Sequence, residues 1–209
     1  MENLNVLVLF AHPSQHRSEV NMPLFKVANE LSYVTAIDLY QEYPDFQIDI
    51  EKEQQRLKEH DVIIFQFPLY WYSTPSILKE WQDLVLEYGF AYGVNGTELK
   101  DKIFLCALSA GGNTHAYSSE GHNNFKIREL LHPLEQTANL TSMIYLPPFV
   151  LFGARTAVEE NRLSKHIQNW RDLLTMLHVG EIDINKIIND DTFNSSLNSA
   201  LNSHQIEEA

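Results

Sequence analysis

The chain has 209 residues, 44% of them hydrophobic and 21% charged, a balance that suits one soluble globular domain with a substantial core. Its formal net charge of −13 argues against nucleic acid as a partner but leaves room for an anionic cofactor gripped by backbone amides. No apolar run approaches the roughly 20 residues of a membrane span, and a single cysteine excludes an internal disulfide or a cysteine metal cluster, so no metal site is expected.

The N-terminal stretch MENLNVLVLF lacks the basic region of a signal peptide and reads as a first strand over 5–11. A helix-like segment follows at 20–31, then a strand at 33–39 and a helix at 49–60. The third strand, DVIIFQF (61–67), leads through FPLYWYSTP into a helix over 75–88, in which Ile77, Leu78, Trp81, Leu84 and Val85 recur at helical spacing and face the core. Phe67 is expected to end the buried strand. Strand four, KIFLCAL (102–108), contains Cys106, read as an inert buried thiol, and the cysteine usage points to a cytoplasmic location. A helix over 125–140, a fifth strand at 142–148 and a helix at 162–178 complete the pattern.

Short apolar strands alternating with helices predict βαβ units, and the near-continuous apolar character of strands one, three and four predicts a sheet covered on both faces. The fold class is α/β: a doubly wound, five-stranded parallel sheet in the flavodoxin-like order 2-1-3-4-5. Residues 1–180 form the domain, and 181–209, rich in Asn, Ser and acids, read as an appended helix or tail.

Ligands of such sheets bind beyond the carboxyl ends of the strands, so the segments after strands one, three and four carry the functional question. The first, AHPSQHRSEVN (11–21), offers His12, Arg17, Ser18 and Asn21 where a helix is expected to start near Ser18 or Glu19. Amides and an Arg at a helix start can hold a phosphate; equally, the segment is a plain connection in which Ser18 is an N-cap. In the second, Pro68 stops the strand and Pro75 opens the next helix. Between them Tyr70, Trp71 and Tyr72 read either as a dimer surface or lid or as walls for a planar ring. In the third, SAGGNTHAYSSEGHNNF (109–125), Gly111 and Gly112 let a backbone approach a ligand closely, and Tyr117 and His122 follow at the same sheet edge. Phosphate grip, aromatic wall and backbone platform together are what a flavin nucleotide requires.

The chain resembles the flavodoxin-like NAD(P)H:quinone oxidoreductase family, including the ancillary subunits of glutathione-gated potassium efflux systems. The resemblance runs from about residue 4 to 178 and is carried by AHP, RSEVN, QFPLYWYSTPSILKEW, GFAYG (89–93), the Gly112–Tyr117 spacing, and LLHPLEQTANL leading to YLPPF. It implies hydride transfer from NAD(P)H through a bound flavin to quinones or similar electrophiles. FMN is the flavin implied by the efflux-ancillary subgroup and FAD by the longer relatives. It also implies His12, Arg17, Ser18 and Asn21 near the flavin phosphate, Pro68, Leu69, Tyr70, Trp71 and Tyr72 along the ring and ribityl chain, and Ser109, Gly111 and Gly112 at the pyrimidine edge. Tyr117 matches the family tyrosine that hydrogen-bonds reduced flavin or quinone. The histidine that long members carry six positions later is Asn123 here, with His122 one position earlier as the candidate. Ser109–Ala110 stands where many relatives have Thr-Thr. A homodimer with the site between subunits is implied, as is peripheral association with a membrane potassium efflux protein at the inner membrane face. Two other functions compete: a flavodoxin-type electron carrier, although the T/S-rich phosphate loop is missing after strand one, and a regulatory ancillary subunit of the efflux channel.

Overall fold

In the computed structural model, which describes residues 3–197, the apolar runs form one parallel sheet. Strands β1 (Val6–Phe10), β2 (Val34–Asp38), β3 (Val62–Pro68) and β4 (Ile103–Ser109) lie in the order β2-β1-β3-β4. The expected fifth strand is broken into β5 (Ile144–Tyr145) and β6 (Phe149–Leu151), both parallel partners of β4. The break falls at Pro147 and Pro148, which have no N–H to give to a ladder. The order 2-1-3-4-5 holds, with the last place shared by two short pieces.

Side chains alternate across the sheet and define two cores. Leu7, Leu9, Ile63, Phe65, Phe104 and Cys106 face one layer, packed against α2 (Leu39–Glu42), α3 (Ile50–Glu59), α4 (Ser76–Val85), α5 (Ile127–Leu130) and α6 (His132–Leu140). Val6, Val8, Val62, Ile64 and Leu105 face α1 (Asn21–Glu30) and α7 (Leu163–Val179) on the other side. Phe67 and Trp81 are core residues as their spacing predicted, and the Trp81 indole N–H donates to the fully buried carboxylate of Glu53 at 2.9 Å. Burial pushes the Cys106 thiol up to about 12, which leaves it unionised and inert.

Gly180 ends α7 in the left-handed region, φ 69°, with Glu181 N–H closing back on the Met176 carbonyl. The chain then continues through α8 (Ile184–Ile187) along the sheet edge. Phe193 and Leu197 enter the α1/α7 core, and the Phe193 N–H donates to the Pro148 carbonyl. The Asn194 carboxamide accepts from Val150 N–H at 2.8 Å and donates to the Val150 carbonyl at 3.1 Å. Arg128 donates to the carbonyls of Ile188 and Asp190, each at 2.7 Å, so the segment clasps both layers. The remainder of the tail expected over 181–209, residues 198–209, lies outside the described residues.

Candidate active site

The carboxyl ends of β1, β3, β4 and β6 open into a cavity of about 850 Å³, inside the roughly 300–1,000 Å³ usual for small-molecule sites. All three suspected loops border it.

The loop after β1 is pinned before it reaches the helix. Gln15 donates to the Asp38 carboxylate at the end of β2, at 2.9 Å. His12 is buried, and its Nδ1 accepts from the Ser14 N–H at 3.1 Å. Burial lowers the His12 pKa, and the Ser14 bond partly offsets it. Helix α1 begins at Asn21, not near Ser18 or Glu19, because a 3₁₀ turn over Gln15–Arg17 comes first. Ser18 still caps it: its hydroxyl accepts from the Met22 N–H at 3.0 Å. The N–H groups of Val20 and Asn21 find no acceptor among the described residues. Asn21 donates through Nδ2 to the Ser109 hydroxyl at 2.8 Å, while its buried Oδ1 lacks a partner among the described residues. Arg17 is exposed at the cavity mouth.

The loop after β3 is strained. Trp71 (φ 51°) and Tyr72 (φ 63°) are consecutive non-glycine residues in the left-handed region, a conformation that costs on the order of 1–3 kcal/mol per residue and clusters at functional sites. Leu69 N–H donates to the Ser109 carbonyl at 2.9 Å and fixes the entry to the loop. The Tyr70 hydroxyl meets His12 Nε2 at 3.3 Å, and the Tyr72 hydroxyl donates to Asn123 Oδ1 at 3.1 Å. Trp71 is 93% exposed, so its ring packs on nothing among the described residues. Pro68 differs from expectation: it is the last residue of β3, in register with Ser109, and does not border the cavity.

The loop after β4 is a platform held on both sides. Ala110 N–H donates to the Leu151 carbonyl, and Gly153 N–H donates to the Gly112 carbonyl at 2.7 Å, while the Gly111 N–H finds no acceptor among the described residues. Neither glycine has a positive φ; a Cβ at Gly112 would lie 3.0 Å from Ala116 Cβ and 3.2 Å from the Tyr117 ring. Gly112 is therefore needed so that Tyr117 can lie close to the backbone. Burial raises the Tyr117 pKa, Tyr72 beside it adds to the shift, and a hydrogen bond from the Gly112 backbone opposes it. The phenol stays neutral, with its O–H free to donate. His122 is exposed on the cavity rim.

Thus His12, Arg17, Ser18, Asn21, Leu69, Tyr70, Trp71 and Tyr72 all border one cavity with Ser109, Gly111, Gly112, Tyr117 and His122. Sequence reasoning missed Asn123 and Arg155, which also border it. Arg155 follows Gly153 (φ 59°) after β6, beside Gly111. A glycine just past the last strand was its only available signal.

The sequence profile of the flavodoxin-like fold matches residues 4–174. The chain belongs to this family. Among its flavodoxin-like relatives, the "Glutathione-regulated potassium-efflux system ancillary protein KefG" of Cronobacter sakazakii is 46% identical over 154 residues, covering 74% of this chain and 84% of the relative. The crystal structure of general stress protein 14 in complex with FMN, from Treponema denticola, superposes with a TM-score of 0.78 at 32% identity, covering 83% of this chain and 99% of that one. An NADPH-quinone reductase from P. pentosaceus gives a TM-score of 0.71 at 32% identity, covering 81% and 97% of the two chains. The family match ends at residue 174, before the C-terminal clasp.

Proposed function

We propose that this protein is a flavin-dependent NAD(P)H:quinone oxidoreductase, transferring hydride from NAD(P)H through bound flavin to quinones or similar electrophiles. The carrying observation is the set of unsatisfied groups converging on one cavity: the Val20, Asn21 and Gly111 amides and the buried Asn21 Oδ1, facing an aromatic loop held in strained geometry. These groups fit a flavin nucleotide. Amides at the start of α1, with Arg17 nearby, suit its phosphate. Asn21 Oδ1 suits a ribityl hydroxyl, and Leu69 to Tyr72 suit the ring. The free Gly111 N–H suits the pyrimidine edge. FMN is the proposed flavin, supported by the FMN complex of the Treponema denticola relative; FAD is the alternative.

When bound, the flavin supplies two-electron hydride acceptance and donation. The chain's own residues hold and orient the reactants. Tyr117 keeps its proton and donates a hydrogen bond to oxygen on the substrate, His122 lines the approach, and the aromatic wall excludes water. Purified protein should be yellow or become so with FMN, and chromatography of the released flavin separates FMN from FAD. It should oxidise NAD(P)H rapidly with menadione. A colourless protein that neither takes up flavin nor reduces menadione would sink this reading.

A second role is favoured by the similarity to the KefG ancillary subunit: peripheral association, from the cytoplasm, with a membrane potassium efflux protein. Among the described residues no helix is long and apolar enough to cross a membrane, so attachment would be to the partner protein. Pull-down with solubilised channel tests it. The exposed rings of Trp71 and Tyr88 and the exposed Val94 support a homodimer; light scattering in solution checks the mass.

A further inference from the structure

Gly111, whose N–H has no acceptor among the described residues, is held from both sides by β6 and the turn after it. On one side Ala110 engages both of its backbone groups: its N–H donates to the Leu151 carbonyl and its carbonyl accepts from the Ala154 N–H, each at 2.9 Å. On the other side the Gly112 carbonyl accepts from the Gly153 N–H at 2.7 Å. The platform is therefore placed no better than β6 itself. That strand is weak: three residues long, cut off from β5 by Pro147 and Pro148, and paired with β4 on one side only. The C-terminal segment closes its other side. Val150, the middle residue, gives its N–H to Asn194 Oδ1 at 2.8 Å, and its carbonyl accepts from Asn194 Nδ2 at 3.1 Å. A backbone N–H only donates and a carbonyl only accepts, so the carboxamide has a single possible orientation. Phe193 N–H adds a bond to the Pro148 carbonyl at 2.9 Å. The same segment reaches the far end of the platform loop, where Arg128 in α5 donates to the carbonyls of Ile188 and Asp190. Asn194 itself does not border the cavity, yet its segment braces the loop that does, at entry and at exit.

We propose that Asn194 is a positioning residue for the flavin: by closing the outer side of β6 it fixes Ala110 and Gly112, and so keeps the Gly111 amide where the pyrimidine edge of the cofactor is met. The proposal rests on the flavin reading of the cavity and extends the determinants of binding to the C-terminal clasp. Without Asn194, two backbone groups of the buried Val150 lose their partners, and β6 shifts to regain them from water. The shift passes through Leu151 and Gly153 to a platform with little slack, since Gly112 already lies close against Ala116 and the Tyr117 ring. Flavin affinity then falls by the fraction of molecules whose platform is in the binding arrangement.

Asn194→Leu keeps the bulk of the side chain and removes both hydrogen bonds. Fluorescence titration of the full chain, freed of flavin, should give an FMN dissociation constant about tenfold weaker than wild type, the effect of one hydrogen bond. Hydrogen exchange of the Ala110 and Gly153 amides in the same flavin-free protein should accelerate by about tenfold; a loosened tail alone would not move them. Asn194→Asp still accepts from the Val150 N–H and should weaken FMN by less. Leu57→Ala opens a cavity in the core beside α3 and controls for general instability: it should lower the melting temperature and leave FMN affinity unchanged. Should Asn194→Leu not fold, the same two measurements on Asn194→Asp decide. Wild-type FMN affinity in the Asn194 variants overturns the proposal, as does an equal loss in Leu57→Ala. A wild-type protein that takes up no flavin overturns the flavin reading; unchanged exchange at Ala110 and Gly153 then overturns the link from Asn194 to the platform as well.

Discussion

The imidazole of His12 and the phenol of Tyr70 meet across the gap between the β1 and β3 loops, with 3.3 Å between Nε2 and the hydroxyl. Because His12 Nδ1 accepts from Ser14 N–H, the neutral ring carries its proton on Nε2 and donates it to Tyr70. One buried side chain thus ties the turn that leads to α1 to the aromatic wall. Protonation would make Nδ1 a donor and break the Ser14 bond. Burial holds the folded-state pKa below its ordinary 6.5, so the Ser14 bond is intact at neutral pH and is lost as the ring protonates below that value, while Nε2 still donates to Tyr70. Hydrogen exchange of the Ser14 amide, corrected for intrinsic rates, should accelerate in acid by about tenfold, one hydrogen bond's worth. In His12→Phe the same amide should exchange fast at every pH; a protected Ser14 amide in that variant would contradict the assignment.

The two platform glycines should differ. Gly112→Ala pushes against Ala116 and the Tyr117 ring, whereas a Cβ at Gly111 meets only Arg155 Nε, at 3.6 Å. A Tyr117 displaced by a few tenths of an ångström should lower kcat/KM for menadione by about tenfold or more, with Gly111→Ala close to wild type. Gly111→Trp, which fills the space above the platform, should abolish flavin binding. If Gly111→Trp bound flavin like wild type, the flavin would have to lie elsewhere.

His166 makes stability depend on acidity. It is buried, stacked on Phe149 with ring centroids 4.3 Å apart, and its Nε2 has no partner among the described residues. Burial, helped by the nearby Arg162 charge, lowers its pKa from 6.5 to about 4. The folded state therefore binds this proton more weakly than the unfolded chain. Stability is fully present above pH 6.5 and declines as pH falls from there to about 4, by about 3 kcal/mol in all. Urea unfolding at several pH values checks this. His166→Phe should flatten the slope over that window, and an unchanged slope would exclude His166 as its source.

The clasp makes its own prediction. Phe193, 2% exposed, sits in the α1/α7 core, so Phe193→Ala should cost about 3–5 kcal/mol. Thermal unfolding would show the loss. A variant as stable as wild type would mean the segment packs in solution more loosely than described.

β1, β3 and most of β4 are buried on both faces and so wrote uninterrupted apolar runs into the sequence; β2, half-buried, was legible too, at 33–39. The fifth was misread as one strand because Tyr145 and Phe149 are both apolar enough for a core, while the prolines between them decide the hydrogen bonding. The docking of 181–197 was hidden because Phe193 and Leu197 stand isolated among Asn and Ser, with no period to detect. In the site, residues on short loops after clear strands were found. Asn123 reads in the sequence only as the position where long members carry a histidine; its contact with Tyr72, 51 residues away, leaves no mark there. Arg155 was passed over because the strand before it was misplaced.

Asn194 carries one more consequence, for assembly. A single carboxamide occupies both hydrogen-bonding groups of Val150 that a neighbouring chain would need to add a strand there. The β6 side is closed to pairing between copies, and growth in that direction stops at one molecule. Two copies that associate must do so through side-chain surfaces, and large exposed rings lie at the cavity mouth and at Tyr88, just before the GFAYG segment. A partner arriving there would cover Trp71, and the dimensions of the active site would then depend on protein concentration.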